Sequence, residues 1–249
     1  MVLELNKIYN ENCLEVMKDI SDKSIDMILA DLPYGTTACK WDTIIPFEPL
    51  WEQYKRIIKD NGAIVLTASQ PFTSALVMSN PDMFRYELLW LKTRPSNVLN
   101  ANKMFMKWHE NILIFYKNLP IYNPQKKEGK PYYKKDVNKR KEGNIYGKTG
   151  EKLGKEHFNN GDRHPKTVIE VSNDNHNSLH PTQKPVALFE YLIKTYTNEG
   201  DLVLDNVAGS GTTGVACKNL NRNFILIEKE KNYCKIAQER LDKTTPPML

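Results

Sequence analysis

The sequence predicts an α/β protein with a doubly wound, mostly parallel sheet. Patterns typical of strands and helices alternate in two blocks of the chain, up to residue 116 and from residue 173 onwards. The strand patterns are continuous apolar runs, such as MILA and FILI, and strands of this kind are covered on both faces. Ligands of such sheets bind beyond the carboxyl ends of the strands, so the residues that follow each strand are candidates for function.

The first block contains patterns for four strands and two helices. The strand pattern SIDMILAD ends at Asp31, and EPLWEQYKRIIKD has the periodicity of an amphipathic helix. Asn61-Gly62 predicts a turn into a second strand, AIVLTAS. PFTSALVMS is then predicted to form a helix, and YELLWLK and ENILIFYK are predicted to form two further strands.

The second block opens with a predicted helix in HPTQKPVALFEYLIKTYT. Its apolar residues fall on one helical face, with Pro185 suited to the first turn and Gly200 to the stop. LVLD then predicts a buried strand, GTTGVACKNL a helix, FILIE a strand and KNYCKIAQERL a final helix. Helix and strand therefore alternate here as well.

The basic charge of the chain is concentrated between the two blocks. The 249 residues carry a net charge of +5, but residues 117–166 contain 14 Lys and Arg against 6 Asp and Glu. The remaining residues contain 21 basic and 24 acidic side chains. This segment favours either a solvated loop or a nucleic-acid contact surface, in which cations meet phosphates and Tyr132, Tyr133 and Tyr146 stack on bases.

Several classes of protein are excluded by composition. No apolar run approaches the roughly 18 residues that a membrane span requires. The first residues include acids and no apolar signal region, so the protein is expected to stay in the cytoplasm. The four cysteines, at 13, 39, 217 and 234, lack zinc-ligand spacing, so reduced thiols and no metal are expected.

A glycine-rich loop predicts a cofactor with an adenosine group. Gly209, Gly211 and Gly214 have G-x-G-x-x-G spacing between a predicted strand and a predicted helix. Glu228 ends the next strand, where a carboxylate can accept both hydroxyl hydrogens of a ribose. A nicotinamide dinucleotide fold places this loop in its first βα unit, but only 35 residues follow Gly214, so the other strands must come from the first block.

These motifs resemble those of the amino-group DNA methyltransferases that use S-adenosylmethionine. Asp31-Leu32-Pro33-Tyr34 resembles the DPPY signature of the family, and DNVAGSGTTG resembles its glycine loop. His180-Pro181-Thr182-Gln183-Lys184-Pro185 resembles the segment before the cofactor strand. Leu32 replaces the usual first proline, and Asn206-Val207 replaces the more common Pro-Phe. The resemblance implies a Rossmann-like methyltransferase sheet with a basic target-recognition insertion.

The resemblance also implies roles for individual residues. The Asp31 carboxylate and the Leu32 carbonyl would accept the two hydrogens of an exocyclic amine, Pro33 would stiffen the turn, and Tyr34 would stack on a base rotated out of the duplex. Asp31 must then lie near the glycine loop. The residues expected to bind S-adenosylmethionine are Asp205, Ala208, Gly209, Ser210, Gly211, Thr212 and Glu228, with Thr182 and Lys184 for its methionine carboxylate. The residues expected to contact nucleic acid are Lys134, Lys135, Lys139, Arg140 and Lys141.

The expected organisation has three parts. Residues 1–116 form the catalytic half of the methyltransferase domain, 117–172 the basic target-recognition insertion, and 173–249 the half that binds S-adenosylmethionine. The expected function is site-specific methylation of the adenine exocyclic amine in double-stranded DNA, by base flipping and direct displacement, within restriction-modification. The expected partner is double-stranded DNA, with a homodimer left open.

Alternatives to adenine methylation remain at this point. DPPY-like sequences lean towards adenine and SPPY-like ones towards cytosine within the family, so the cytosine exocyclic amine is the nearest alternative. Attack through a cysteine at carbon 5 of cytosine is not expected, because none of the four cysteines follows a proline. A catalytically inactive nucleic-acid-binding protein and a nicotinamide oxidoreductase are the alternatives from other classes.

Overall fold

The computed structural model describes residues 3–36, 39, 42–135, 156–173 and 183–245. Their main feature is an eight-stranded sheet with strand order β1-β12-β11-β2-β3-β5-β4-β10. Neighbouring strands are parallel except that β5 runs antiparallel to both β3 and β4. The strands are β1 (Lys7–Tyr9), β2 (Ile25–Ala30), β3 (Ile58–Ala68), β4 (Phe84–Ser96), β5 (Lys107–Phe115), β10 (Val168–Glu170), β11 (Leu202–Asp205) and β12 (Asn223–Ile227).

Helices cover both faces of this sheet. The helices are α1 (Cys13–Val16), α2 (Phe47–Ile57), α3 (Phe72–Ser79), α4 (Val186–Tyr196), α5 (Thr212–Asn219) and α6 (Lys231–Lys243), with 3-10 turns at Met17–Asp19 and Val98–Asn100. Successive side chains of a strand point to opposite faces of the sheet. In β2, Ile28 accordingly packs with α1, α2 and α3, whereas Met27 and Leu29 pack with α4 and α5. The doubly wound α/β class predicted from the sequence is confirmed.

The two predicted blocks meet in the centre of the sheet. β2 from the first block pairs in parallel with β11 from the second, in the register Val203–Met27 and Leu204–Ile28. All four of these side chains are fully buried. This pairing brings the carboxyl ends of β2, β11 and β12 to the same edge, although β2 and β11 are far apart in the chain.

Most of the predicted elements are present, with shifted boundaries. The predicted turn at Asn61-Gly62 was wrong, because these residues lie inside β3. The register slips there, with four residues between Ile58 and Ala63 against one between Ile25 and Met27, so the polar residues bulge out of the pairing. Pro185 is the N-cap of α4 rather than a residue of its first turn.

Residues 124–166 form a separate compact unit. Its described residues contain two small antiparallel sheets, in which β6 (Lys127–Glu128) pairs with β9 (Asp162–Arg163) and β7 (Tyr132–Lys134) pairs with β8 (His157–Asn159). The guanidinium of Arg163 lies 5.0 Å from the ring centre of Tyr132, and the ammonium of Lys134 lies 5.5 Å from it. The proposed division of the chain at 117 and 172 stays a prediction.

A helix that spans a membrane must be about 20 residues long and predominantly apolar. In the ranges given above, none of the helices is long and apolar enough to cross a bilayer. Within the same ranges, no three His, Cys, Asp or Glu side chains form a group suited to hold a metal ion.

Candidate active site

Three acidic residues stand at neighbouring strand ends on one edge of the sheet. Asp31 follows β2, Asp205 ends β11 and Glu228 follows β12. All three line one cavity of about 700 Å³, which the glycine loop at Gly209 also lines. The juxtaposition of Asp31 and the glycine loop, on which the methyltransferase interpretation depends, is therefore present.

Asp31 is held by three donors. Its Oδ1 accepts hydrogen bonds from the Tyr34 hydroxyl at 2.7 Å and from the Thr67 hydroxyl, and its Oδ2 lies 2.7 Å from the Lys184 ammonium. A carboxylate offers about four acceptor positions. Among the described residues these three donors leave one position of Asp31 for a hydrogen of a bound amine.

Lys184 lies between two carboxylates and is itself buried. Its Nζ is 2.7 Å from Asp31 and 3.3 Å from Glu110, which also pairs with Lys92. Burial would lower the pKa of Lys184, but Asp31 and Glu110 outweigh it and raise that pKa. Burial would likewise raise the pKa of Glu110, but Lys184 and Lys92 outweigh it and lower that pKa. Both groups therefore stay charged at neutral pH.

The turn after Asp31 is fixed on both sides. The Leu32 side chain is buried, and the Tyr34 ring stacks on Phe72 with ring centres 5.2 Å apart. The two Asp42 carboxylate oxygens accept hydrogen bonds from the backbone N–H groups of Gly35 and Thr36, at 2.8 and 2.9 Å. Asp42 thus holds the backbone of the two residues that follow Tyr34.

The glycine loop has the backbone conformation that its glycines suggested. Gly209 has φ +51° and Gly211 has φ +78°, a left-handed region that other residues adopt at a cost. A Cβ on Gly211 would lie 2.8 Å from the Cβ of Ala237 in α6, so only glycine allows the loop to pack there. A Cβ on Gly209 would meet nothing within 4 Å. Gly209 therefore leaves open space in the wall of the cavity.

Glu228 connects the glycine loop to the next strand end. Its Oε2 accepts a hydrogen bond from the Gly209 N–H at 2.7 Å, and its Oε1 accepts one from the Glu230 N–H at 2.7 Å. Burial raises its pKa, against the effect of these backbone donors. With the Lys229 N–H as a third backbone donor, the carboxylate keeps an acceptor position for a ribose hydroxyl at this strand end.

Asp205 is the most deeply buried of the three acids. Its Oδ1 accepts a hydrogen bond from the Val207 N–H at 3.1 Å, and its Oδ2 accepts one from the Thr213 hydroxyl. Burial raises its pKa from 3.8 to about 7, although the Thr213 bond acts in the other direction. The side chain therefore changes its charge near neutral pH.

This pKa predicts a pH dependence of stability without cofactor. Because the folded chain binds the Asp205 proton more tightly than the unfolded chain, the free energy of unfolding falls as the pH rises from about 4 to 7. Asp205→Asn removes this component. The free energy of unfolding of the variant, relative to that of the wild type, should therefore increase by up to roughly 4 kcal/mol between about pH 4 and 7 and stay constant above about pH 7. Urea unfolding of both chains between pH 4.5 and 8.5 measures the difference. A difference that does not change with pH would contradict the prediction.

The cavity fits a nucleoside cofactor. Its volume lies in the ordinary range for small-molecule sites, roughly 300–1,000 Å³. Gly209 leaves room for the ligand, and Glu228 presents acceptors to hydroxyls at the strand end next to Asp205. The residues present therefore match the adenosine-containing cofactor expected from the sequence.

Other predicted site residues have different outcomes. Ala208, Ser210 and Thr212 line the cavity with Gly209, whereas the predicted Gly211 lies against Ala237 and does not line it. Lys184 also lines it, but its ammonium pairs with Asp31 and Glu110, so binding of a cofactor carboxylate stays a prediction. Lys134 and Lys135 are exposed in the separate unit 124–166. The predicted residues that lie outside the described ranges are Thr182, Lys139, Arg140, Lys141 and Tyr146.

Three residues of the site were missed by the sequence reasoning. Thr67 ends β3 and holds Asp31, while Lys92 on β4 and Glu110 on β5 form the ion pair that flanks Lys184. Two of them left a signal, because Lys92 and Glu110 are charged residues at the ends of apolar strand patterns. A buried charge requires a partner, so such positions indicate an ion pair within the sheet.

This arrangement defines an α/β enzyme that binds an adenosine-type cofactor at one strand end and presents a carboxylate across the same cavity. The chain belongs to the DNA methylase family of N6 and N4 amino-methyltransferases, whose family model, described as DNA methylase, matches residues 25–239. The amino-group DNA methyltransferase resemblance is confirmed, and S-adenosylmethionine is the methyl donor.

Individual proteins support the same family. The chain is 34% identical to the Type II methyltransferase M.BglII of Bacillus subtilis, over 95% of this chain and 69% of that protein. It is also similar to the crystal structure of the M1.HpyAVI–SAM complex, with 27% identity, a TM-score of 0.65 and coverage of 94% and 99%. The PvuII cytosine-N4-specific DNA methyltransferase shares the fold, with 16% identity, a TM-score of 0.67 and coverage of 94% and 85%.

Proposed function

We propose that this protein methylates the exocyclic amine of adenine at a specific sequence in double-stranded DNA. The observation that carries the proposal is that the Asp31 carboxylate and the glycine loop line one cavity. Asp31 keeps one acceptor position towards a substrate amine, while its other contacts fix its orientation. The similarity to Type II methyltransferases supports a place in restriction-modification.

The residues of the chain act on the amine rather than on the methyl group. The lone pair of an exocyclic amine is delocalised into the ring, so the amine is a poor nucleophile. The Asp31 carboxylate accepts one N–H and the Leu32 carbonyl accepts the other, which draws electron density onto the nitrogen and favours a pyramidal geometry. S-adenosylmethionine would supply a methyl group activated by its sulfonium, and the electron pair of the broken carbon–sulfur bond would stay on the sulfur, which leaves as a neutral thioether. The negative charge of Asp31 offsets the positive charge that develops on the nitrogen, and Asp31 is the nearest base for the proton that the methylated amine then loses.

The residues at the glycine-loop end of the cavity bind and orient the cofactor. Glu228 accepts hydrogen bonds from the ribose hydroxyls, the glycine loop gives close access to the backbone, and Asp205 borders the same cavity. The Lys184 ammonium lies 2.7 Å from the Asp31 Oδ2 and holds the carboxylate in position. No step therefore needs a nucleophilic side chain.

The insertion is the proposed contact surface for the DNA backbone. In the unit 124–166, Lys134 and Lys135 directly follow Tyr132 and Tyr133 in the sequence. The cationic groups of Lys134 and Arg163 lie over the Tyr132 ring. Tyr133 and Phe158 are also exposed there. Cationic side chains can bind phosphates, and exposed aromatic rings can stack on bases, so this surface can contact both parts of a nucleic acid. The homodimer and the cytoplasmic location stay predictions.

The choice of adenine is tested by identifying the product. Asp31 in the DLPY sequence supports adenine, because the resemblance associates DPPY-like sequences with that base. DNA from cells that lack other DNA methyltransferases but express this chain is digested to nucleosides and analysed by mass. We expect methylated deoxyadenosine and no methylated deoxycytidine. Methylated deoxycytidine would overturn the choice of base, and unmodified DNA would support the inactive DNA-binding alternative.

A further inference from the structure

The connection between β4 and β5 forms a projecting tip, which we define as residues 97–106. β4 runs in the same direction as β3 and β2, since β5 is antiparallel to both β3 and β4. The tip therefore leaves the sheet at the edge where Asp31 follows β2. Ser96, which immediately precedes the tip, lines the cavity together with Asp31. The tip thus stands at the mouth of the candidate active site.

The tip exposes large apolar side chains to water. Leu99 and Phe105 are 100% exposed, and Val98 and Met104 are 59% and 56% exposed. Single exposed apolar residues are ordinary on protein surfaces, but a group of four on one short connection indicates an interaction site.

The tip is an ordered structure despite this exposure. Asn97 has φ +68° and precedes the 3-10 turn Val98–Asn100. The backbone N–H groups of Lys103 and Met104 donate to the Asn100 carbonyl at 2.8 and 3.0 Å. The Asn97 amide also donates to the Met104 sulfur at 3.2 Å. The backbone therefore holds the apolar side chains outwards before any partner binds, which lowers the entropy cost of binding.

The charges around the tip select the chemistry of the partner. Residues 94–109 include Arg94, Lys103 and Lys107 and no Asp or Glu. A second copy of the chain docked symmetrically on this tip would bring the same cations together, which is unfavourable. A polyanion with an apolar interior matches both features, and double-stranded DNA is such a partner.

We propose that the tip is a wedge that enters the DNA base stack where the target base leaves it, with Phe105 and Leu99 as the inserted side chains. This inference rests on the proposed function, because it supplies the step that delivers a base to Asp31. Apolar side chains that enter base steps unstack them, and the contacts with neighbouring bases offset part of the cost of unstacking. Lys103 of the tip, with Arg94 and Lys107 at its base, binds the adjacent phosphates.

The test compares a paired target with a target whose partner base is missing. The substrates are duplexes with the methylation site mapped from modified cellular DNA, either intact or with an abasic position opposite the target base. In the variant Leu99→Ala/Phe105→Ala, the methylation rate on the intact duplex should fall about tenfold or more. On the abasic duplex the rate should stay within about twofold of wild type, because the target base is already unpaired.

Two further variants act as controls. Met78→Ala removes a side chain that is 72% exposed on α3, away from the tip, and it should methylate both duplexes like the wild type. Phe105→Leu keeps an apolar side chain of similar reach and should retain most of the activity on the intact duplex. Thermal unfolding of all variants should match the wild type, because the tip side chains are not packed in the core.

Specific results would overturn the wedge. Unchanged methylation of the intact duplex by the double variant, or an equal loss on both duplexes, contradicts a role in base extrusion. A change from dimer to monomer with an equal loss on both duplexes assigns the tip to a second copy instead. If wild-type protein methylates DNA in these cases, the proposed function stands and only the wedge is lost. Wild-type protein that transfers no methyl group to DNA would overturn both.

Discussion

Replacing Asp31 with Asn should lower the rate of DNA methylation by about 10²–10³-fold. The amide keeps the size of the carboxylate but loses the negative charge that offsets the charge developing on the amine nitrogen. Binding of S-adenosylmethionine should change little, because Asp31 follows β2 whereas Glu228 and the glycine loop follow other strands. Single-turnover methylation measures the first quantity, and calorimetry with S-adenosylmethionine measures the second.

Asp26→Asn is the matched control for this variant. Asp26 lies on the same strand at the end away from the cavity, where it pairs with Lys59 at 2.6 Å and accepts the Leu202 N–H at 3.0 Å. Its loss should lower stability without a specific effect on the methylation rate. If Asp31→Asn methylates DNA as fast as Asp26→Asn, the amine-activating role of Asp31 is wrong.

Replacing Gly209 with Asn should weaken the binding of S-adenosylmethionine by about tenfold to a hundredfold. Asn is among the residues that best tolerate positive φ, so the backbone at φ +51° is only modestly strained. The new side chain starts in the open space of the cavity wall and fills the volume that the cofactor would use. Titration calorimetry gives the change in affinity, and urea unfolding gives the change in stability.

Gly200→Asn provides the comparison at a similar backbone conformation. Gly200 has φ +82° and no atom within 4 Å of an added Cβ, but it lies in the turn before β11, at the other end of that strand. The two variants should lose similar stability, while only Gly209→Asn should lose affinity for the cofactor. Equal cofactor binding by both variants would show that the glycine loop does not face the cofactor.

Much of the site could be predicted because parallel strands deliver their carboxyl ends to one edge. Asp31, Asp205 and Glu228 each follow an apolar run in the sequence, so their neighbourhood follows from the fold class once the sheet is assigned. The central pairing of β2 with β11 then brings the two blocks together. The positions of these acids follow from the order and direction of the strands, which the apolar pattern of each strand helps to predict.

The remaining features depend on side-chain packing between distant elements. Lys184 and Asp31 are separated by 153 residues, and the pair forms because the segment before α4 crosses the end of β2. No local pattern indicates which carboxylate a lysine will meet. The exposed tip 97–106 could likewise not be predicted, because the exposure of Leu99 and Phe105 is a property of the folded surface.

The ion pairs around Lys184 have a consequence for what enters this corner of the cavity. Two carboxylates, on Asp31 and Glu110, face two ammonium groups, on Lys92 and Lys184, so their formal charges cancel. These four groups therefore form a neutral ion-pair cluster at this corner of the cavity. We expect an uncharged nucleobase to enter this corner without displacing counterions. A phosphate gains no net attraction there, so we expect phosphates to bind cations outside the cavity.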